Sequence, residues 1–133
     1  MFLTVVGEPV SKGRPRFGRG KTYTPAKTIA AETFIQLCAT QKGVLKMMNG
    51  PLRLTVTFSM GIPKSWSAKK KEEAELGNIR PTGKPDLDNL IKLVGDSLEK
   101  AGVYRNDSQI VEVKAVKKYG KPQTIIHIKE VIK

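Results

Sequence analysis

The chain has 133 residues, enough for one hydrophobic core, and a hydrophobic share of 39% that argues against a disordered or fibrous protein. Its one cysteine, Cys38, excludes an internal disulfide and a cysteine-rich zinc site, and a reducing cytoplasm is the expected compartment. The 24 Lys+Arg against 12 Asp+Glu give a net charge of +12, which points to a polyanionic partner, and no apolar run approaches the roughly 18 residues of a membrane span.

The charge is unevenly placed. Positions 9 to 71 hold 13 basic residues and one acid, Glu32, whereas the remainder holds 11 of each and is neutral. The first residues show no basic segment before their short apolar stretch, so no export signal is expected.

Phe2 to Val6 reads as a strand ended by Gly7 and Pro9. The segment SKGRPRFGRGKTYTP carries Lys12, Arg14, Arg16, Arg19 and Lys21 among glycines and reads as a loop. Those cations, together with Lys84, are the expected contacts to DNA phosphates. Thr24 as N-cap and Pro25 in the first turn start a helix whose apolar stripe is Ala30, Phe34, Leu37 and Cys38, ending at Gly43. Positions 52–62 alternate cleanly, with Leu52, Leu54, Val56, Phe58, Met60 and Ile62 on one face, and predict a strand with one buried side.

Ser67 caps a short exposed helix over 67–76, with i,i+4 pairs Lys69–Glu73 and Lys71–Glu75, anchored by Trp66 and closed by Gly77. A further helix over 86–101 has the stripe Leu87, Leu90, Ile91, Val94, Leu98 and Ala101, ended by Gly102. Positions 109–119 and 124–131 read as two strands joined as a hairpin through Gly120-Lys121-Pro122. His127 alternates out from Ile126 and Ile128 and is expected at the solvated surface. The order β-α-β-α-α-β-β predicts one α+β domain over residues 1–133, a mixed sheet with helices on one face.

The chemistry concentrates in KPDLDNLIK at 84–92. Pro85 before Asp86 favours a helix start, and a carboxylate in a first turn is stabilised by the helix dipole, so Asp86 alone reads as an N-cap. At 100° per residue Asp88 and Lys92 fall outside the apolar stripe, where Asp88, Lys92 and Asp96 would also form an ordinary surface ion-pair ladder. A polyanion-binding surface has no use for carboxylates unless a cation lies between them and the phosphate. Mg²⁺, with Mn²⁺ as a substitute, meets that need with two or three carboxylates. Asp107, in the turn RNDSQ, completes a set with Asp86 and Asp88 if the fold brings it near. The corresponding reaction is phosphodiester hydrolysis, with Lys92 stabilising charge as it develops.

DLDNLIK, Asp96 within DSLEKAG, and NDSQIVEVKAVKKY at 106–119 resemble the signature region of RusA-type endodeoxyribonucleases, which resolve Holliday junctions. GEPVSKGRPR and YTP resemble the phage and prophage branch of that family. The resemblance implies a RusA-like fold, catalytic and metal-binding roles for Asp86, Asp88 and Asp107, an essential lysine at Lys92, and a further helix aspartate at Asp96. It also implies Mg²⁺, a homodimer, and paired symmetric nicks in a four-way DNA junction during recombination and repair; no small-molecule cofactor or membrane partner is expected. Enterobacterial members carry an arginine-rich run before DLDN, where this chain has only Arg80 and Lys84.

Two rival readings stay open at this level. Pro85-Asp86 with Glu112-Val113-Lys114 matches the PD-(D/E)xK nuclease pattern, since Glu112 and Lys114 share a strand face. A non-enzymatic basic DNA-binding protein with an incidental acidic patch is the other.

Overall fold

The strand with the cleanest alternation, Leu52–Met60 (β4), lies inside a four-stranded sheet whose order is β1-β6-β4-β5, in a computed structural model that describes residues 1–13, 16–18, 20–43 and 46–131, with backbone only at 16 and 21–23. The partners are Phe2–Val6 (β1), Ile110–Tyr119 (β5) and Gln123–Glu130 (β6). β6 runs antiparallel to both β1 and β4, whereas β5 runs parallel to β4, so the sheet is mixed. A parallel pair needs a crossover, and the segment between β4 and β5 supplies it with two helices, Ala68–Glu75 (α2) and Leu87–Lys100 (α3).

One sheet face is buried: Leu52, Leu54, Val56 and Phe58 of β4, Ile126 and Ile128 of β6, and Leu3 and Val5 of β1. α3 covers it with Leu90, Leu93, Val94 and Leu98, and Ala26–Lys42 (α1) packs against α3 and β1. The opposite face keeps Phe2, Thr4 and Val6 exposed and His127 half-buried, tilted against Phe2 at 5.9 Å. This is the expected α+β arrangement with helices on one side. No helix among the described residues is long and apolar enough to cross a membrane.

The ends of the elements follow local chemistry. The Ser67 hydroxyl caps α2 by accepting from the Lys70 N–H at 3.2 Å, and Gly102, at φ +80°, ends the α3 segment in a left-handed conformation. Trp66 packs edge-on against Tyr119 at 5.2 Å, with the Lys70 ammonium 4.0 Å from its ring centre, which seats α2 over β5.

Four local expectations are corrected. β5 and β6 do not pair with each other: β4 lies between them, and residues 120–122 pass over its end. Three residues suffice, because strands two places apart are about 10 Å distant and four Cα steps reach roughly 13 Å. The Gly120 N–H donates to the Met60 carbonyl at 2.9 Å, and a Cβ at Gly120 would stand 2.8 Å from the Ser59 hydroxyl, so the crossing is tight.

The basic segment is also more ordered than a loop: Arg16–Gly18 (β2) and Lys21–Tyr23 (β3) pair as an antiparallel ribbon. In α1 the N-cap is Pro25, and the buried side is Thr28, Glu32, Ile35 and Ala39, while Phe34 and Leu37 are 43% and 56% exposed. The physical cause is charge: Glu32 turns inward because Lys12 and Lys100 meet it there, at 2.9 and 3.0 Å. On α2 the two i,i+4 ion pairs are absent among the described residues, and Glu73 instead accepts from the Asn78 amide at 2.8 Å.

Candidate active site

The loop before α3 is held by a strand residue. Lys117, on the helix-facing side of β5, donates from its ammonium to the carbonyls of Gly83 at 2.7 Å and Pro85 at 2.9 Å. Asp86 follows, extended at φ −70° and ψ 144°, and its carbonyl accepts the first helical bond from the Leu90 N–H at 3.1 Å. By position Asp86 is the N-cap, yet its carboxylate makes no capping hydrogen bond. That carboxylate is exposed and opens on a cleft of about 710 Å³ between residues 9–13, the start of α1 and the start of α3.

Asp88 lies in the first turn of α3, where the helix dipole favours a negative charge, and its Oδ1 accepts from the Asn89 N–H at 3.0 Å. Lys92, Gly95 and Glu99 follow it at i+4, i+7 and i+11, so all four share one line along the helix. Lys92 is exposed and, among the described residues, has no ion pair.

Asp107 is placed by the turn that carries it. The Asn106 side chain accepts from the Ser108 N–H at 2.8 Å, and Gln109 Oε1 accepts from the N–H groups of Arg105 and Asn106 at 3.0 and 3.1 Å. Gln109 Nε2 also donates to the carbonyls of Met48 and Gly50, at 3.3 and 3.1 Å. The Asp107 N–H donates to Glu99 Oε1 at 2.7 Å, which ties this 3-10 turn, Asp107–Gln109, to α3. Asp107 and Lys92 thereby line one groove of about 230 Å³, with Leu54, Ile110 and Val113 behind them.

The three aspartates are therefore divided along α3. Lys92, on the line that Asp88 heads, shares a groove with Asp107 on the side of β5, whereas Asp86 opens on the cleft beside α1. Two residues on a helix are about 200° apart, which separates Asp86 from Asp88. Among the described residues no three His, Cys, Asp or Glu side chains come together to hold a metal ion. The donor chemistry, hard carboxylate oxygen, fits a divalent cation, but one or two of these carboxylates would have to serve, with substrate oxygens completing the shell.

Glu112 and Lys114 belong elsewhere. Pairing of Arg53 with Glu112 and Thr55 with Lys114 puts both on the open face of the sheet, away from α3, and Glu112 is ion-paired with Arg53. The PD-(D/E)xK constellation does not assemble with Asp86.

Of the expected DNA contacts, Lys84 is exposed at the cleft, and Lys12 is engaged internally with Glu32 at 2.9 Å and Asp96 at 3.2 Å. This gives Asp96 a partner other than Lys92. Burial of Lys12 acts to lower its pKa, but the hydrogen bonds and charges of Glu32 and Asp96 outweigh it and raise the pKa above its usual value. Arg14 and Arg19 lie outside the described residues, as do the side chains of Arg16 and Lys21. Tyr104, fully buried, donates to the Gly95 carbonyl at 2.6 Å, and burial, followed by the charges of Asp107, Glu99 and Asp96, pushes its pKa far up.

Lys117, Asn106 and Gln109 were not singled out by the pattern. The signal for Lys117 was present: a lysine on the face of β5 that otherwise carries Val113 and Ala115.

The family model for endodeoxyribonuclease RusA matches residues 6–129. The chain belongs to the RusA family. It is accordingly an endonuclease acting on DNA. The chain is 42% identical over 136 residues to the uncharacterized protein YqaN of Bacillus subtilis strain 168, covering 97% of this chain and 95% of that protein. It is 50% identical over 48 residues to the crossover junction endodeoxyribonuclease RusA of Aquifex aeolicus, covering 35% of this chain and 38% of that one. With the crossover junction endodeoxyribonuclease of Lactococcus phage r1t it shares 41% identity over 71 residues, or 52% and 46% of the two chains.

Proposed function

We propose that this RusA-family nuclease resolves four-way DNA junctions in the cytoplasm during recombination and repair, cutting two opposed strands symmetrically with a divalent metal, Mg²⁺ or Mn²⁺. The observation that carries this reading is the carboxylate of Asp86, which heads α3 without capping it, in a chain of net charge +12. Relatives named as crossover junction endodeoxyribonucleases supply the substrate class.

In this reading Asp86, Asp88 and Asp107 are the metal-binding carboxylates, used in ones or twos with the scissile phosphate. A bound divalent cation would supply water activation and charge neutralisation at the phosphate. Lys92 contributes a fixed positive charge beside Asp107, aimed at the non-bridging oxygens as charge builds on them. Lys84 and the ribbon cations hold flanking phosphates and set register without reading sequence.

A homodimer suits a two-fold junction, since each copy faces one of two opposed strands. Exposed apolar side chains on adjoining elements, Phe2 and Val6 of β1 with Phe34 and Leu37 of α1, support a second copy as the covering partner. The prophage branch of the family is the proposed origin.

The test is cleavage of a four-way junction, a fork and a linear duplex side by side, with and without Mg²⁺. Junction-selective paired nicking is expected, with Asp86→Asn, Asp88→Asn, Asp107→Asn and Lys92→Met binding the junction but failing to cut it. Glu112→Ala and Lys114→Ala should cut normally. Equal cutting of all three substrates, or full activity in the aspartate variants, would refute the reading.

A further inference from the structure

The cleft beside Asp86 has a construction that metal binding alone does not explain. Its walls include Pro9, Val10 and Pro25, its rim carries Lys27 and Lys84, and Asn89 projects from the first turn of α3. The strap over residues 9–13 that forms one side is tied down on both helices. The Lys12 N–H donates to the Asn89 carbonyl and the Gly13 N–H to the Thr28 hydroxyl, each at 3.0 Å. The Lys12 ammonium joins Glu32 of α1 to Asp96 of α3. A Cβ at Gly13 would stand 2.6 Å from the Thr28 hydroxyl, so the strap lies directly on α1. Of the lining side chains these ties use the Thr28 hydroxyl, and they leave the Asn89 amide and both lysine ammonium groups untouched. Among the described residues, the amide of Asn89 and the ammonium groups of Lys27 and Lys84 have no hydrogen-bond partner.

The space, about 710 Å³, falls within the roughly 300–1,000 Å³ range of sites that enclose a small ligand. Proline and valine walls suit the flat faces of a base. Two lysines at the mouth suit the phosphates on either side of it. A side-chain amide offers a donor and an acceptor together, the pair needed to read a base edge. Because Asp86 opens on the same space, a nucleotide seated here carries its own phosphate to the carboxylate.

We infer that this cleft takes one unpaired nucleotide from the strand to be cut, with Asn89 contacting the base edge and Lys27 and Lys84 its flanking phosphates. The inference rests on the branched-DNA reading above, since extrusion is least costly where stacking is already broken.

The test uses the full chain and four-way junctions carrying 2-aminopurine at each position around the branch point, with EDTA present to prevent cutting. Among the described residues the cleft is lined by no aromatic side chain, so an extruded 2-aminopurine is expected to stay unquenched. Binding should raise fluorescence several-fold at one position. Asn89→Leu and Ser11→Met, one removing the amide and the other filling the space, should each abolish most of that rise while binding the junction within about threefold of the wild type. Thermal melting checks that each variant folds, and either one that does carries the test. Bound junction without brightening at any position overturns the inference, as does undiminished brightening in both variants.

If the protein shows no preference for junctions, the function proposed above fails. The cleft is then judged on a duplex with a single-nucleotide 2-aminopurine bulge. Brightening that the two variants abolish upholds it, and no brightening overturns it.

Discussion

The ammonium of Lys117 on β5 lies 2.9 Å from the carbonyl oxygen of Pro85, so a strand residue anchors the peptide that delivers Asp86 to the head of α3. A second bond to the Gly83 carbonyl, at 2.7 Å, makes the anchor two-pronged. Hydrogen bonds with a charged partner are worth about 1.5–3 kcal/mol each, enough to choose one loop position over its neighbours. Lys117→Met is expected to slow single-turnover cleavage roughly tenfold to a hundredfold through misplacement of Asp86, with junction affinity nearly unchanged. Lys117→Arg should recover part of the rate. Wild-type turnover in Lys117→Met would show that the loop holds without the anchor.

Glu32 predicts an asymmetry in stability. Its side chain is 3% exposed, whereas those of Lys12 and Lys100 are 20% and 51% exposed. Removing the acid leaves two lysines that can reach water; removing both lysines strands a carboxylate in the interior. Chemical denaturation should therefore show the double variant Lys12→Met, Lys100→Met losing about 3–5 kcal/mol and Glu32→Met clearly less. Equal losses would mean that water reaches Glu32.

The alkaline limb of stability follows from two raised pKa values. Tyr104 and Lys12 both hold their protons more tightly folded than unfolded. A raised folded pKa contributes stability that is complete below the unfolded pKa and is lost as pH rises through the folded one. These two groups should leave stability flat from pH 7 to about 10 and lower it above that. In a spectrophotometric titration, at least one of the three tyrosines should ionise only as the protein unfolds. Tyr104→Phe, which loses the bond to the Gly95 carbonyl, should cost about 1 kcal/mol and remove that late step.

Salt dependence measures how much of the +12 charge meets DNA. If 6–10 phosphates are contacted, affinity for a junction should fall by about 10³ to 10⁵ between 50 and 200 mM salt. Lys84→Ala should lower the slope of log K against log[salt] by about one while leaving structure preference intact. A slope near zero would remove phosphate contacts from the account.

What could be read before the structure depended on how local the signal was. In β4 and α3 the burial pattern is a property of the segment itself, so Leu52, Leu54, Val56 and Phe58, and the outward placement of Asp88 and Lys92, were legible. In α1 the pattern misled, because the inward side of that helix is chosen by Lys12 and Lys100, which come from other parts of the chain. Strand identity was legible at 109–119 and 124–131 but strand neighbourhood was not, since a three-residue connection fits both a hairpin and a passage over an intervening strand. At the site, KPDLDN and NDSQ named the carboxylates, yet only the fold shows Asp107 and Lys92 lining one groove while Asp86 turns to the other side of α3. Lys117 acts through backbone carbonyls more than thirty residues earlier, a relationship without a sequence pattern.

The strand that threads between β5 and β6 has a consequence for biosynthesis. β4 finds no partner until β5 has been made, and β1 finds none until β6 has. Such long-range pairings are slow to form. The sheet therefore closes only after residue 130 has left the ribosome, and until then β1 and β4 present bare edges. Nascent chains arrested just short of β6 should be captured by holdase chaperones, and those extended past residue 130 released.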